Sequence, residues 1–318
     1  MLDLITSDLS ISETQIQIQT QTQTQTQTQM RIAVIVATRN RAEEVGQLLQ
    51  SLESQTLAPC AIILSVESER DLPSHIPANV TVIKGAAGLT KQRNRGLEAA
   101  LPISDVVVFF DDDFLPAKTA LEGMSQLFLT QPKIVSATGS VLSDGVKQGG
   151  ITYLEALEIV HQYEGRTQHP VATREILWAY GCNMAFRAVA VGALRFDENL
   201  PLHGWQEDMD FVARILACGK VVQTTAFAGV HRGVNKGRSP GMSLGFAQVV
   251  NPVYLVRKGA MSYRKALNLI AKNFLANHIK AFHPEPFIDR RGRVLGNWRG
   301  IAHIVTGRAD PMAILLFR

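Results

Sequence analysis

Short apolar runs alternate with amphipathic stretches along most of this chain. Arg31–Ala37 (RIAVIVA), Ala61–Val66 (AIILSV) and Val80–Ile83 are strand-length and rich in β-branched residues, and Asp105–Phe110 (DVVVFF) makes a fourth such run. Between the first two lies a helical pattern from about Ala42 to Ser54, with Val45, Leu48, Leu49 and Leu52 on one face. A second helix opens at Gly88 and runs to about Ala100. Strands alternating with helices from residue 31 to 140 predict an α/β fold: a doubly wound, mostly parallel sheet flanked by helices. Further along, the pattern predicts a helix over 117–128, a strand over 134–138 and a helix over 153–163. A strand over 177–186, interrupted at Gly181, precedes a helix that starts near Glu207 and ends at Cys218–Gly219. Two short strands, 221–224 and 227–230, follow, and the tail predicts one amphipathic helix near 263–282.

Both ends depart from this regime. Gln recurs at every second position from Gln15 to Gln29, a polar tract with nothing to bury, so residues 1–29 are expected to be a disordered, low-complexity leader and are assigned no function. The net charge of +4 is uneven. Residues 252–318 carry 12 Lys/Arg against 3 Asp/Glu, leaving 20 against 25 in the rest. The chain therefore divides into the leader, a body over 30–251 and a basic helical extension over 252–318. The extension is either a solvated basic helix pair or a surface for peripheral contact with an acidic bilayer. No run of 18 apolar residues exists to span a membrane, and the three cysteines, Cys60, Cys182 and Cys218, lie far apart, which suits a reducing cytosol. A cytoplasmic protein is expected, peripheral on the inner face of the membrane if the tail binds lipid, with no nucleic-acid partner.

The fourth strand ends in Asp111-Asp112-Asp113. Three carboxylates at the end of a buried strand are costly unless something positive neutralises them. Side-chain alternation points Asp111 and Asp113 one way and Asp112 the other, and two converging carboxylates can hold Mg²⁺ or Mn²⁺. The carboxyl ends of strands are also where ligands bind in open α/β sheets. A solvated acidic turn is the alternative.

Five segments in order carry a family resemblance: TRNR after the first strand, GLTKQRNRG at a helix start, FFDDDF, GCN and GWQEDMDF. Over about residues 30–232 the chain resembles family 2 glycosyltransferases, which have the GT-A fold. The resemblance implies a metal-dependent enzyme moving a sugar from a nucleotide-diphosphate sugar to a hydroxyl of a saccharide or lipid-linked saccharide, with Mn²⁺ or Mg²⁺ as cofactor. It implies that Asp113 and Asp111 are the metal acids, with Asp112 beside them on the nucleotide side. Thr38, Arg39 and Asn40 would contact base and ribose. The acid usual after the second strand is replaced by Glu67, and Arg93 and Asn94 match the pair that meets the diphosphate. Asp208 would be the catalytic base with Glu207 beside it. Gly181, Cys182 and Asn183 would line the acceptor side, and His231 matches a further metal ligand.

Each residue also has a plainer reading. Asp208 can be a helix N-terminal acid, Arg93 a surface cation, Asn183 a hydrogen-bonded loop residue and Thr38–Asn40 a helix entry. Glu67 reads as structural rather than as a ligand. Trp205 either stacks on an acceptor sugar or belongs to the core. Arg232, Lys236 and Arg238 among Gly233, Gly237 and Gly241 suggest a loop able to close over a diphosphate. A direct displacement inverts the anomeric centre, and no second nucleophilic carboxylate is evident. A nucleotidyltransferase would share the sheet and the acids but would show a glycine-rich loop after the first strand, which TRNRAEE lacks. A non-catalytic nucleotide-sugar-binding protein would have lost the acids or the base.

Overall fold

The computed structural model describes residues 29–166, 170–236 and 240–317. The expectations for the leader up to residue 28, and for Gly237 and Arg238, concern residues outside these. β1 (Ile32–Ala37), β2 (Ala61–Val66), β3 (Val80–Lys84) and β4 (Val106–Phe110) lie side by side as a parallel block in the order β3-β2-β1-β4. Their apolar runs are continuous because both faces are covered. Ile32, Val34 and Val36 of β1 pack with Val45, Leu48, Leu49 and Leu52 of α1 (Ala42–Glu53), while Ala33 and Ile35 face Leu97 and Ala100 of α2 (Leu89–Ala100).

Beyond β4 the sheet becomes mixed. The remaining strands are β5 (Phe114–Pro116), β6 (Ile134–Asp144), β7 (Thr173–Glu175), β8 (Asn183–Arg187) and β9 (Lys220–His231). β8 runs antiparallel between β4 and β6, placing Asn183 opposite Phe110, and β6 pairs in parallel with β9. The strand expected over 177–186 is real only from Asn183; Leu177 and Trp178 are exposed, and the chain turns at Gly181–Cys182 before entering the sheet. The two strands expected over 221–230 are one strand of 12 residues. Their apparent separation comes from a register shift against β6, where Gln223 and Ala228 are consecutive partners and Thr224 pairs with β7 instead. Helices α3 (Ala120–Thr130), α4 (Tyr153–Glu164), α5 (Ala188–Val191) and α6 (Glu207–Ile215) complete the body.

The tail holds three helices where the pattern predicted one: α7 (Gly241–Arg257), α8 (Tyr263–Lys280) and α9 (Arg290–Val305), followed by a 3₁₀ segment, Pro311–Phe317. α7 is buried on most faces, so it has no polar stripe to reveal a helical period, and it runs through the 251/252 boundary expected from charge. α9 is hidden from propensity by its glycines. Gly296 meets Gly245 of α7 so closely that a Cβ on either would collide with the other helix's backbone. A buried polar hub locks the three helices together: Asn297 Nδ2 donates to the Gly245 carbonyl (2.7 Å), Asn277 Nδ2 to Asn297 Oδ1 (3.0 Å) and Gln248 Oε1 (2.8 Å), and Arg290 Nη1 to Asn277 Oδ1 (2.9 Å). Gly296→Ala should therefore cost about 1–3 kcal/mol of stability by overpacking. Urea denaturation checks this, and an unchanged midpoint would mean that the crossing can spread without loss.

Candidate active site

β4 delivers three acids to the carboxyl end of the parallel block. Asp112 turns back into the protein, where it accepts hydrogen bonds from Thr38 Oγ1 (2.7 Å) and Arg41 Nη1 (2.7 Å). Asp113 is 3.3 Å from the same Arg41 nitrogen and accepts from the Val234 amide (2.7 Å). Arg41 also donates from Nε and Nη2 to the carbonyls of Lys236 (2.6 Å) and Val234 (2.9 Å). One guanidinium thus fastens two buried carboxylates and the segment after β9.

The other oxygen of Asp113, Oδ1, is buried and accepts no hydrogen bond. His231, the last residue of β9, brings Nε2 to 3.4 Å from it and 3.8 Å from Asp111 Oδ2. Asp111, Asp113 and His231 each offer one ligand atom, all within 4.8 Å of one another. An unsatisfied buried carboxylate oxygen converging with a second carboxylate and an imidazole suits a divalent cation. The far ring nitrogen, Nδ1, faces Asp144 Oδ1 (3.2 Å) and the Tyr180 hydroxyl (3.3 Å), which itself donates to Asp144 (2.8 Å). Such an outer carboxylate fixes the ring's orientation, as in metal-binding histidines generally. Burial works against charge on His231, but Asp113 and Asp144 raise its pKa well above the ordinary value. In turn, burial works to raise Asp113, and His231 and Arg41 hold it down, to about 2.

A second group of acids lies at the start of α6, reached through Arg93. This buried guanidinium pairs with Glu207 through Nη1, and through Nη2 with Asp111 Oδ1 (3.2 Å) and the Gly181 carbonyl (3.0 Å). Its plane sits against the rings of Phe109 and Phe196, at 5.4 and 5.5 Å. Burial and then the adjacent Asp208 push the Glu207 carboxyl up to about 8, against the pull of Arg93. Asp208 is also raised, first by burial and further by Asp111, while the Met209 amide and Arg93 pull it back. The strand-end acids and the helix acids therefore belong to one electrostatic unit. Lys265 of α8 stands close enough to feel the Asp208 charge.

A cavity of about 670 Å³ opens beside these groups. Thr38, Arg39, Lys91, Asp111 and Asp112 line one side, and Met312, Ile314, Leu315 and Phe317 of the 3₁₀ segment line another. Arg39 pairs at 2.6 Å with Glu67, which is not among the lining residues. Asn40 adopts a left-handed conformation (φ 57°), and its amide donates to Asp71, a buried acid that also accepts from the amides of Glu67 and Ser68.

Other expected residues are occupied elsewhere. The Asn94 amide group is spent on the backbone of Phe196 and on Glu198; Asn183, fully buried, accepts at Oδ1 from Thr138 and the Gly139 amide, while its Nδ2 has no hydrogen-bond partner among the described residues. The Cys182 carbonyl accepts from the Asp111 amide, and burial pushes its thiol up to about 11. Trp205 packs with Phe246 and Leu202 in the tail's apolar cluster. Arg232 turns inward to Gln47, the Ile151 carbonyl and the face of Tyr153, so it is not a loop cation awaiting a phosphate. Arg41, Asp144, Tyr180 and the 3₁₀ segment carry no sequence signal of their own, because each is recruited from a distant segment.

Arg41→Ala should strip Asp112 of its countercharge, leave Asp113 with His231 alone, and cost about 3–5 kcal/mol in chemical denaturation. Arg41→Lys, which keeps the charge but not the fork, should recover only part of that. A loss below about 1 kcal/mol for Arg41→Ala would show that solvent already screens these acids.

The description "Glycosyl transferase family 2" belongs to the family model that matches residues 33–193. Two solved structures share the architecture. One is a crystal structure of GalNAc-T7 with UDP, GalNAc and Mn²⁺, with a TM-score of 0.52 and 15% identity over 89% of this chain and 59% of that one. The other is S. aureus TarS residues 1–349, with a TM-score of 0.50 and 14% identity over 89% of this chain and 83% of that one. This chain thus spans less than two-thirds of the first structure's length. At such identities the likeness concerns the fold, a GT-A arrangement of a curled mixed sheet between helices. No curated protein matches the sequence. The parallel block, the acids that end it and the strand that returns through Asn183 all lie within the matched half, and by that match the chain belongs to glycosyl transferase family 2.

Proposed function

We propose that the protein transfers a sugar from a nucleoside-diphosphate sugar to a hydroxyl of a saccharide or lipid-linked saccharide, with inversion at the anomeric carbon. One observation carries this reading: a cation-binding group (Asp111, Asp113, His231) and a pair of acids with raised pKa (Glu207, Asp208) are joined by a single guanidinium, Arg93. The donor's nucleotide fits the cavity lined by Thr38, Arg39 and Lys91. GalNAc-T7, which shares the fold, has been crystallised with UDP and Mn²⁺. The imidazole in the ligand group favours Mn²⁺ over the harder Mg²⁺. A bound cation supplies Lewis-acid stabilisation of the charge that develops on the departing diphosphate.

The chain's own residues do the rest. Asp111 and Asp113 orient the donor end of the cleft, with Arg41 holding Asp113 in place. Asp208 accepts the proton of the acceptor hydroxyl, for which a carboxylate of raised pKa is better matched than an ordinary aspartate. Glu207 holds Arg93 against Asp111 and so keeps the two groups in register. With Asp208 as the base and no carboxylate assigned to attack the donor carbon, the displacement is direct, hence inverting.

Release of UDP or GDP from sugar nucleotides in the presence of Mn²⁺ tests the reading, and release of pyrophosphate instead would sink it. Asp208→Asn should lower kcat by about 100-fold or more while leaving nucleotide affinity nearly unchanged. Asp113→Asn should instead abolish Mn²⁺-dependent nucleotide binding, measured by calorimetry. Asp208 works deprotonated and its pKa is raised, so kcat should climb with pH along a limb lying above the ordinary aspartate value of about 4. A limb at or below that value would remove Asp208 from the role.

A further inference from the structure

The outward side of the tail is apolar where a lone soluble helix would be polar. On α8, Leu267, Leu275 and Ile279 are 56%, 59% and 68% exposed, and Phe282, just past its end, is 82% exposed. Residues 267, 271, 275 and 279 form one i, i+4 row, and 282 falls beside it. On α9, Leu295, Trp298 and Val305 are exposed at matching spacing. The two stripes meet where the Trp298 ring lies edge-on to Phe274 (5.3 Å) and His278 (5.8 Å). A contiguous apolar surface of this kind marks an interaction site.

Its surroundings identify the partner. On the same helices Arg264, Lys272 and Arg291 are exposed, as is Arg308 just past α9. Lys258, Lys280 and Arg290 of this region are held in ion pairs, with Asp197 and Asp210, with Glu285, and with Glu285 respectively. With 12 Lys/Arg against 3 Asp/Glu over 252–318, pairing this face with its own copy would set like charges together. An anionic bilayer is complementary in both respects: apolar side chains enter the boundary between headgroups and acyl chains, and cations meet lipid phosphates. No helix among the described residues is long and apolar enough to cross a membrane, so seating on the surface is the mode that fits.

We propose that the outward face of α8 and α9 docks the protein on an anionic lipid bilayer, with Leu275, Ile279, Phe282 and Trp298 inserted and Lys272 and Arg291 on the phosphates. This holds whether or not the transfer reaction assigned above is correct.

Co-sedimentation of the full chain with vesicles tests the proposal, using phosphatidylcholine alone and an equal mixture with phosphatidylglycerol. The protein should sediment with the mixed vesicles, less with the neutral ones, and less again at high salt. The triple change Leu275→Ser, Ile279→Ser, Phe282→Ser should weaken binding by about tenfold or more while circular dichroism and the thermal midpoint stay unchanged. Lys272→Ala and Arg291→Ala should each weaken it about fivefold. Absence of binding to mixed vesicles overturns the proposal, as does equal binding by the triple variant. So does a dimer, seen by light scattering, that the triple change dissolves without any vesicle binding. If the triple variant does not fold, the cation variants decide alone, and unchanged affinity in both overturns it.

Discussion

The structure depends on neutralising a concentration of carboxylates where β4 leaves the sheet. Asp111, Asp112, Asp113, Asp144, Glu207 and Asp208 gather around Arg41, Arg93 and His231. Buried and half-buried acids at such density are tolerable only with close countercharges and filled lone pairs. Arg41 meets this need on one side by spanning Asp112 and Asp113 and anchoring the residues after β9. Arg93 meets it on the other by bridging Asp111 to the start of α6. The same contacts that make the acids tolerable set the distances between them, so stability and site geometry have one cause.

That cause was partly legible in the sequence. The alternation of strand and helix to residue 140 announced the parallel block, and the three aspartates after an apolar run announced a charged strand end. Arg93, Asp208 and His231 became candidates only by their order along the chain. What stayed hidden was tertiary. Arg41 looks no different from Arg39 in TRNR, yet Arg39 lines the cleft and pairs outward with Glu67 while Arg41 turns inward to the acids. Asp144 and Tyr180 meet His231 only because β6 and β9 are neighbours in the sheet. Asn94 looks like a ligand amide, but its partners are backbone and side-chain groups of a remote loop, and the oxygen of Asn183 is taken by Thr138 and the Gly139 amide of a neighbouring strand, which no local pattern reveals.

The tail was the least legible part, for a physical reason. Amphipathic periodicity identifies a helix with one wet and one dry side, and α7 is dry on most sides whereas α9 is rich in glycine. These helices are not peripheral to the site. The 3₁₀ segment that follows α9 walls the cavity with Ile314, Leu315 and Phe317, and the Asp208 charge is felt at Lys265 of α8. The body supplies the charges and the tail closes the space around them.

The contact between Gly245 and Gly296 has a mechanical side. Helices held apart by long side chains can slide and tilt as rotamers change, but backbones in direct contact, pinned by the Asn297 bond to the Gly245 carbonyl, have almost no such play. α9 is therefore keyed to α7 like a shaft to its hub. A force or a binding partner acting on the outer face of the tail would turn the cavity wall with it, and so set the angle at which the cleft meets its surroundings.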